Sequence, residues 1–148
     1  MNTILVNAIN APVALFTDDR LTFADQRLWL CIMHDQTYFP NGRFREKTYL
    51  AVRTRHARTT VYSALKRLAA AGWYDPVKGL AVVNPLTGDS HPISVPVDLI
   101  FAEKLSDAAV VGHCRLQAAP RQALSMCRNK DLARFLGVCV NTARKIVF

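Results

Sequence analysis

The chain has 148 residues, a length that fits one folded domain, or a small domain with an appendage. Of these residues 51% are hydrophobic and 20% charged, a composition that excludes a largely disordered chain. Its 19 Lys and Arg residues against 11 Asp and Glu give a formal net charge of +8, which favours a polyanionic partner. No apolar run reaches the roughly 18 residues that cross a membrane. No Lys or Arg precedes the first apolar run, as one would in a signal peptide. We therefore expect a cytoplasmic protein with no membrane partner.

The positive charge is concentrated in residues 43–67, which hold eight bases against the single acid Glu46. Residues 1–42 and 68–127 each carry slightly more acids than bases, whereas residues 128–148 carry five bases and one acid. Because charge concentrated in this way repels itself, we expect nucleic acid to contact residues 43–67.

The first predicted elements are a short strand over residues 3–9 and a helix over residues 22–35. Alternating Ile, Leu and Val residues indicate the strand. Thr22 followed by Asp25 resembles a capping box at the start of the helix, and Leu28 and Ile32 belong to a wide apolar face.

Two further helices are predicted inside the basic stretch, over residues 46–53 and 59–71. In the second of these, Val61 and Leu65 belong to a buried stripe with helical spacing. Gly72 follows at the position where a left-handed residue commonly ends a helix.

A β-hairpin is predicted next, with strands over residues 79–83 and 93–101 and a loop over residues 84–92 that is rich in turn-forming residues. Three helices followed by a hairpin is the order of a winged helix. We expect a mainly α fold with a small β-hairpin: a winged-helix domain at residues 1–102, and a helical segment at residues 103–148 with a second helix-turn-helix.

That second helix-turn-helix is carried by the phrase DLARFLGVCVNTARKIV at residues 131–147. The phrase resembles the helix-turn-helix of many bacterial and phage regulators, with Gly137 in the turn. The resemblance implies that four side chains of its second helix face a DNA groove: Asn141, Thr142, Arg144 and Lys145.

The basic stretch carries a second resemblance. Its segments NGRF at residues 41–44, YLA at 49–51 and RTTVYSALKRLAAAGWY at 58–74 resemble the winged-helix domains of plasmid and phage regulators and replication proteins. The resemblance implies that the third helix is a recognition helix and that residues 84–92 form the wing. Arg55 stands where Gly is most common in the turn, so we expect this turn to differ from the usual form.

Site residues follow from that resemblance. Tyr62 and Trp73 could stack on bases, but we interpret both as packing residues. The base-reading residues it implies are Arg58, Thr59, Thr60, Ser63 and Lys66. The phosphate-contacting residues it implies are Arg53, Arg55, His56, Arg67 and Lys78.

Four cysteines occur without a C-x-x-C pair, and we expect them to be reduced and mostly buried. Cys31 and His34 lie three residues apart, but the spacing matches no common zinc finger, so no metal is expected. There is no Gly-rich phosphate loop, HExxH motif or nucleophile elbow, so we expect neither an enzyme nor a cofactor or small-molecule substrate.

These patterns favour a sequence-specific protein that binds double-stranded DNA. Within that class we expect a plasmid- or phage-encoded transcriptional repressor acting as a homodimer. A plasmid or phage replication-initiation or partition factor is the near alternative. The alternative of another class is a protein-interaction winged helix, an adaptor or inhibitor that does not read bases.

Overall fold

Helices dominate the part of the chain that the computed structural model describes, which is residues 8–84 and 92–118. Two small antiparallel sheets accompany them, so the expected mainly α class with a small β-hairpin is confirmed. None of the helices in these residues combines the length and hydrophobicity that crossing a bilayer requires. The elements are β1 (Ala8–Pro12), α1 (Val13–Thr17), α2 (Phe23–Tyr38), α3 (Lys47–Thr54), α4 (Arg58–Ala70), β2 (Tyr74–Asp75), β3 (Leu80–Ala81), β4 (Pro92–Pro96), α5 (Val97–Ile100) and α6 (Asp107–Ala118).

Helix α2 is the centre of the core. The predicted capping box is confirmed: Thr22 Oγ1 accepts from the Asp25 amide at 3.1 Å, and Asp25 Oδ2 accepts from the Thr22 amide at 3.0 Å. Because α3–α4, the strands and α6 surround it, α2 buries residues on several faces, including the fully buried Trp29 and Ile32. It ends at Tyr38, three residues beyond the predicted end.

Helices α3 and α4 begin and end within one residue of their predicted bounds, are joined by a three-residue connection and pack against each other. The predicted stripe is buried, with Val61 at 1% and Leu65 at 4% exposure, and it packs with Leu50 of α3. Gly72 has φ of +83°, so the predicted left-handed residue after α4 is also confirmed.

The hairpin differs from its prediction. Strands β2 and β3 pair Tyr74 with Ala81 and Asp75 with Leu80, around a tight turn at residues 76–79. The Asp75 carboxylate accepts from the backbone amides of two turn residues, and Gly79 has φ of +67°, which together fix a much shorter turn than expected.

The predicted strands at residues 79–83 and 93–101 do not pair with each other, so the predicted hairpin between them is not formed. Asn84 is buried and donates from Nδ2 to the Ala71 carbonyl oxygen at 2.7 Å, while residues 85–91 lie outside the described residues.

The second predicted strand is shorter than expected, because β4 ends at Pro96 and residues 97–100 form α5. Strand β4 pairs with β1, in a register running from Ala8 opposite Pro96 to Pro12 opposite Pro92. Of the predicted N-terminal strand, residues 3–7 lie outside the described residues, and the described strand continues to Pro12. Ile9 and Val95 face the core while Asn10 is exposed, which is the alternation expected of a sheet packed on one side.

Helix α6 packs on the same core as the first hundred residues, where Val110, Val111 and Cys114 are fully buried. The Arg27 guanidinium of α2 fixes the approach to α6, because it donates to the carbonyl oxygens of Ile100, Ala102 and Leu105 at 2.9 Å each. Residues 107–118 therefore share the core of the first hundred residues.

Candidate nucleic-acid interface

The outer face of α4 carries three exposed polar side chains. The helical repeat of 100° per residue places Thr59, Ser63 and Lys66 opposite the buried Val61 and Leu68. All three are exposed, and none is hydrogen-bonded or ion-paired to another described residue. The helix therefore presents hydroxyl groups and an ammonium group to solvent, in a row that a ligand can approach.

The other two predicted base readers lie beside this row. Arg58 is the first residue of α4, is exposed and has no carboxylate partner among the described residues, while Thr60 is half-buried on the flank that faces α2. Four of the five predicted residues are thus accessible from the same side, and Thr60 is the exception.

The N-terminus of α4 is open to an anion. Its N-cap is Ala57, which makes no side-chain cap, and the first turn contains no acidic residue. The first amide groups of the helix are therefore not satisfied by a protein side chain, and the positive end of the helix dipole lies next to Arg58. This arrangement favours a phosphate at that position.

The turn between α3 and α4 is of the ordinary left-handed kind, so the expectation that it would differ was wrong. Arg55 has φ of 60° and ψ of 32°, the conformation that Gly adopts most easily, and it is the one non-Gly residue with positive φ among the described residues. Its guanidinium forms an ion pair with Glu103, which lies near the start of α6. The backbone therefore accommodates an arginine where a glycine is common.

Four of the five predicted phosphate contacts are held by carboxylates of the protein itself. Arg67 donates to Asp25 through Nε at 2.7 Å and Nη2 at 2.9 Å, and these hydrogen bonds raise the pKa of Arg67 above its ordinary value. The other three pairs are Arg53 Nη2 with Asp35 Oδ1 at 3.3 Å, Arg55 with Glu103, and His56 Nε2 with Asp107 Oδ2 at 3.3 Å.

These ion pairs reduce the net positive charge that residues 43–67 present at the surface. Asp25, Asp35 and Glu103 all come from outside residues 43–67, so distant acids neutralise much of the charge that is concentrated in the sequence. Asp25 is fully buried and Asp35 is 2% exposed, which makes Arg67 and Arg53 structural cations. Lys78, the fifth predicted phosphate contact, is exposed in the turn between β2 and β3.

Within residues 43–78, a smaller set of cations has no carboxylate partner among the described residues, and we call it the basic face: Arg45, Lys47, Arg58, Lys66 and Lys78. Arg45 joins the segment before α3 to the hairpin, because its Nε donates to the Lys78 carbonyl oxygen at 2.9 Å. The sequence analysis did not select Arg45 and Lys47 as site residues. The structure identifies them, because neither forms an ion pair with a carboxylate of the described residues.

An aromatic groove lies within the basic face, between α4 and the hairpin. Its volume is about 500 Å³, and its lining residues are Lys47, Tyr62, Leu65, Lys66, Ala69, Tyr74 and Pro76. Tyr62, expected to pack, is 41% exposed, and Lys47 Nζ lies 4.7 Å from the centre of its ring. Trp73 is fully buried and donates to Asp18 at 2.9 Å, so its expected packing role is confirmed.

The Cys31–His34 pair belongs to a buried network instead. Cys31 is buried, which raises the pKa of its thiol to about 12. His34 Nδ1 lies 2.8 Å from Asp35 Oδ1, and Tyr49 donates its hydroxyl to the other oxygen of Asp35, so the network ties α2 to α3. No group of three His, Cys, Asp or Glu side chains in residues 8–84 and 92–118 is placed to hold a metal ion.

The predicted second DNA-binding helix, with Asn141, Thr142, Arg144 and Lys145, lies outside the described residues. Comparisons of the chain with protein-family models, with curated proteins and with solved structures find no match.

Proposed function

We propose that this chain is a sequence-specific double-stranded DNA-binding protein with a winged-helix arrangement. In this proposal α4 is the recognition helix and the β2–β3 hairpin is the wing. The observation that carries it is the exposed row of Thr59, Ser63 and Lys66 on a helix bordered by cations that pair with no carboxylate of residues 8–84 and 92–118. The order of α2, α3, α4 and a hairpin supports the same arrangement.

The proposed contact follows from the dimensions and chemistry of α4. A helix with its side chains is about 10–12 Å across and enters the major groove of B-DNA, which is about 12 Å wide. Thr59 and Ser63 can then bond base edges, and Arg58 and Lys66 can bond guanine or phosphate. Arg45, Lys47 and Lys78 lie to the side of this helix, where they bind phosphates and set the orientation of the protein.

This mechanism predicts a strong dependence of affinity on salt. Each phosphate that is neutralised on duplex DNA contributes about −0.9 to the slope of log K against log salt concentration, so five contacts give a slope of about −4.5. The three internally paired arginines, Arg53, Arg55 and Arg67, do not add to it, because their carboxylate partners already neutralise them.

Within this class we propose a cytoplasmic transcriptional repressor of plasmid or phage type that acts as a homodimer, on the basis of the resemblance at residues 41–74. Selecting the DNA fragments that the protein binds from its native replicon tests the role. Promoter fragments support repression, iterated repeats at an origin support replication initiation, and no enrichment supports a protein-interaction domain.

Base reading by α4 is tested by the triple variant Thr59→Ala, Ser63→Ala, Lys66→Ala. We expect its affinity for a selected duplex to fall towards its affinity for random duplex, since each lost base contact costs about 1–3 kcal/mol. Fluorescence anisotropy with labelled duplexes measures both affinities.

The matched control is Asn10→Ala with Ser94→Ala, which removes exposed polar groups from the outer face of the β1–β4 sheet. It should bind like the wild type. If the triple variant keeps the wild-type ratio of selected to random affinity, α4 does not read bases.

A further inference from the structure

The side of α4 that borders the aromatic groove carries a cation, an aromatic ring and a second cation in succession. Arg58, Tyr62 and Lys66 follow one another at four-residue intervals, so they lie on one side of α4, turned from the Thr59–Ser63 row towards the hairpin. Tyr74 and Pro76 form the opposite wall of the groove. Tyr62 lines the groove and is 41% exposed, and Lys47 Nζ lies over its ring, 4.7 Å from the ring centre.

The chemistry of the groove suits a ligand that is flat and apolar in its middle and negatively charged at its edges. Phenol rings and a proline line it, and the ammonium groups of Lys47 and Lys66 stand at its rim. No carboxylate lines it in the described residues, and the neighbouring Asp75 is occupied by two amides of its own turn. A nucleotide has this distribution, with a base that stacks on an aromatic ring and a phosphate that binds lysine.

We propose that this groove is a binding site for single-stranded DNA, in which an unpaired base stacks on Tyr62 while the flanking phosphates bind Lys47 and Lys66. The site goes beyond the proposed reading of duplex DNA: it shares Lys66 with that surface but does not require Thr59 or Ser63.

Two observations favour a strand over a free nucleotide or a duplex. The basic face continues on both sides of the groove, to Arg58 at one end and to Arg45 and Lys78 at the other, so it matches several phosphates in succession. Bases inside a duplex are stacked and paired, so their faces do not reach a ring on the protein surface unless the strand is open. A single strand can therefore stack an unpaired base on the Tyr62 ring while its phosphates bind the cations of the basic face.

Fluorescence anisotropy of a short labelled oligothymidylate with the full chain tests the site. Tyr62→Ala should weaken binding about tenfold, because it removes the stacking surface, and Tyr62→Phe should bind like the wild type, because it keeps the ring. Lys47→Ala should lower the slope of log K against log salt by about 0.7, the value for one phosphate of a single strand.

Phe39→Ala is the matched control, since Phe39 is 57% exposed at the end of α2 and lies outside the groove. It should leave oligothymidylate binding unchanged. Circular dichroism establishes that each variant is folded before binding is measured. Equal affinities of Tyr62→Ala, Phe39→Ala and the wild type would overturn the proposal.

Duplex binding by the same variants separates this site from the proposed function. Tyr62→Ala should keep the discrimination between selected and random duplexes, and Thr59→Ala with Ser63→Ala should keep oligothymidylate binding. If Tyr62→Ala weakens duplex and single-strand binding by the same factor, the groove belongs to the duplex interface and the proposal is overturned. Tighter binding of the corresponding oligoribonucleotide would overturn DNA as its occupant.

Discussion

At the scale of single residues, neighbouring cations on α4 have different roles. Lys66 is exposed and has no ion-pair partner in the described part of the chain, whereas Arg67, the next residue, lies on the flank facing α2 and holds the fully buried Asp25. Asp25 also accepts from the Thr22 amide in the capping box, so one carboxylate stabilises the start of α2 and the packing of α4 against it. A rotation of 100° along a helix is enough to separate an exposed cation from a structural one.

Removing Arg67 should therefore destabilise the fold. Arg67→Ala leaves a buried carboxylate without its cation, and we expect the free energy of unfolding to fall by about 2–3 kcal/mol. Lys66→Ala should change it by less than about 0.5 kcal/mol, as for other exposed positions. Urea denaturation measures both variants, and equal losses would contradict a structural role confined to Arg67.

At the scale of elements, the turn between α3 and α4 depends on one backbone conformation. Arg55 is left-handed, and a residue with a Cβ atom is strained there, whereas Gly is not. The ion pair with Glu103 links the same residue to the segment before α6. The turn therefore contains a residue whose backbone is strained and whose exposed side chain forms an ion pair.

The backbone cost can be isolated in a Glu103→Gln background, where the ion pair is already weakened. There, Arg55→Gly should raise the free energy of unfolding by about 0.5–1 kcal/mol, because it relieves the left-handed strain. Arg55→Ala in that background should give no gain, since Ala keeps a Cβ atom at the same φ. Chemical denaturation of the three proteins compares them, and an equal gain for Ala and Gly would show that strain is not the cause.

Elements with local signals were predictable from the sequence. The helical period of Val61 and Leu65, together with the end signals at Thr22 and Gly72, determined α2, α3 and α4 to within a few residues. Strand β2 was not predicted, because two residues are too few to show a period. Strand β3 lies inside the predicted strand at residues 79–83, but neither its pairing with β2 nor the pairing of β1 with β4, which are far apart in the chain, was predicted.

The candidate site was likewise predictable only where its residues follow from local spacing. The exposed row on α4 follows from local spacing, which the sequence displays directly. The pairing of Arg67 with Asp25, 42 residues earlier, and of Arg55 with Glu103 depends on tertiary structure and leaves no local pattern. The exposure of Tyr62 was missed for the same reason, because the position of the hairpin decides which side of α4 is covered.

At the scale of the whole molecule, Asp18 connects distant parts of the chain. It accepts from Trp73 Nε1 at 2.9 Å and from two nitrogens of the Arg20 guanidinium at 2.9 and 2.7 Å. Hydrogen bonds from Arg20 first, and from Trp73, lower the pKa of the Asp18 carboxyl to about 2. The segment before α2 is thereby fixed to the end of α4 as long as this carboxylate is ionised.

Stability should therefore fall in acid. Because the pKa of Asp18 is lower in the folded chain than its ordinary value of 3.8, its contribution is complete above about pH 5 and is lost as the pH falls from about 4 to 2. Asp18→Asn keeps an acceptor for Trp73 but cannot ionise, so its free energy of unfolding should be lower at pH 7 and depend less on pH. Urea denaturation from pH 6 to pH 2 compares the two, and parallel curves would contradict the assignment.

The pairing of β1 with β4 constrains the order in which the elements can pack while the chain is being synthesised on the ribosome. Helices α2 to α4 and the β2–β3 hairpin make their contacts within one continuous segment, and such local contacts form fastest. Strand β1 is translated before all of them, yet its partner Pro92–Pro96 leaves the ribosome only after them. Strand β1 can therefore pair only after residue 96 has emerged, and α6, whose Val110 and Val111 are buried in the same core, emerges later still.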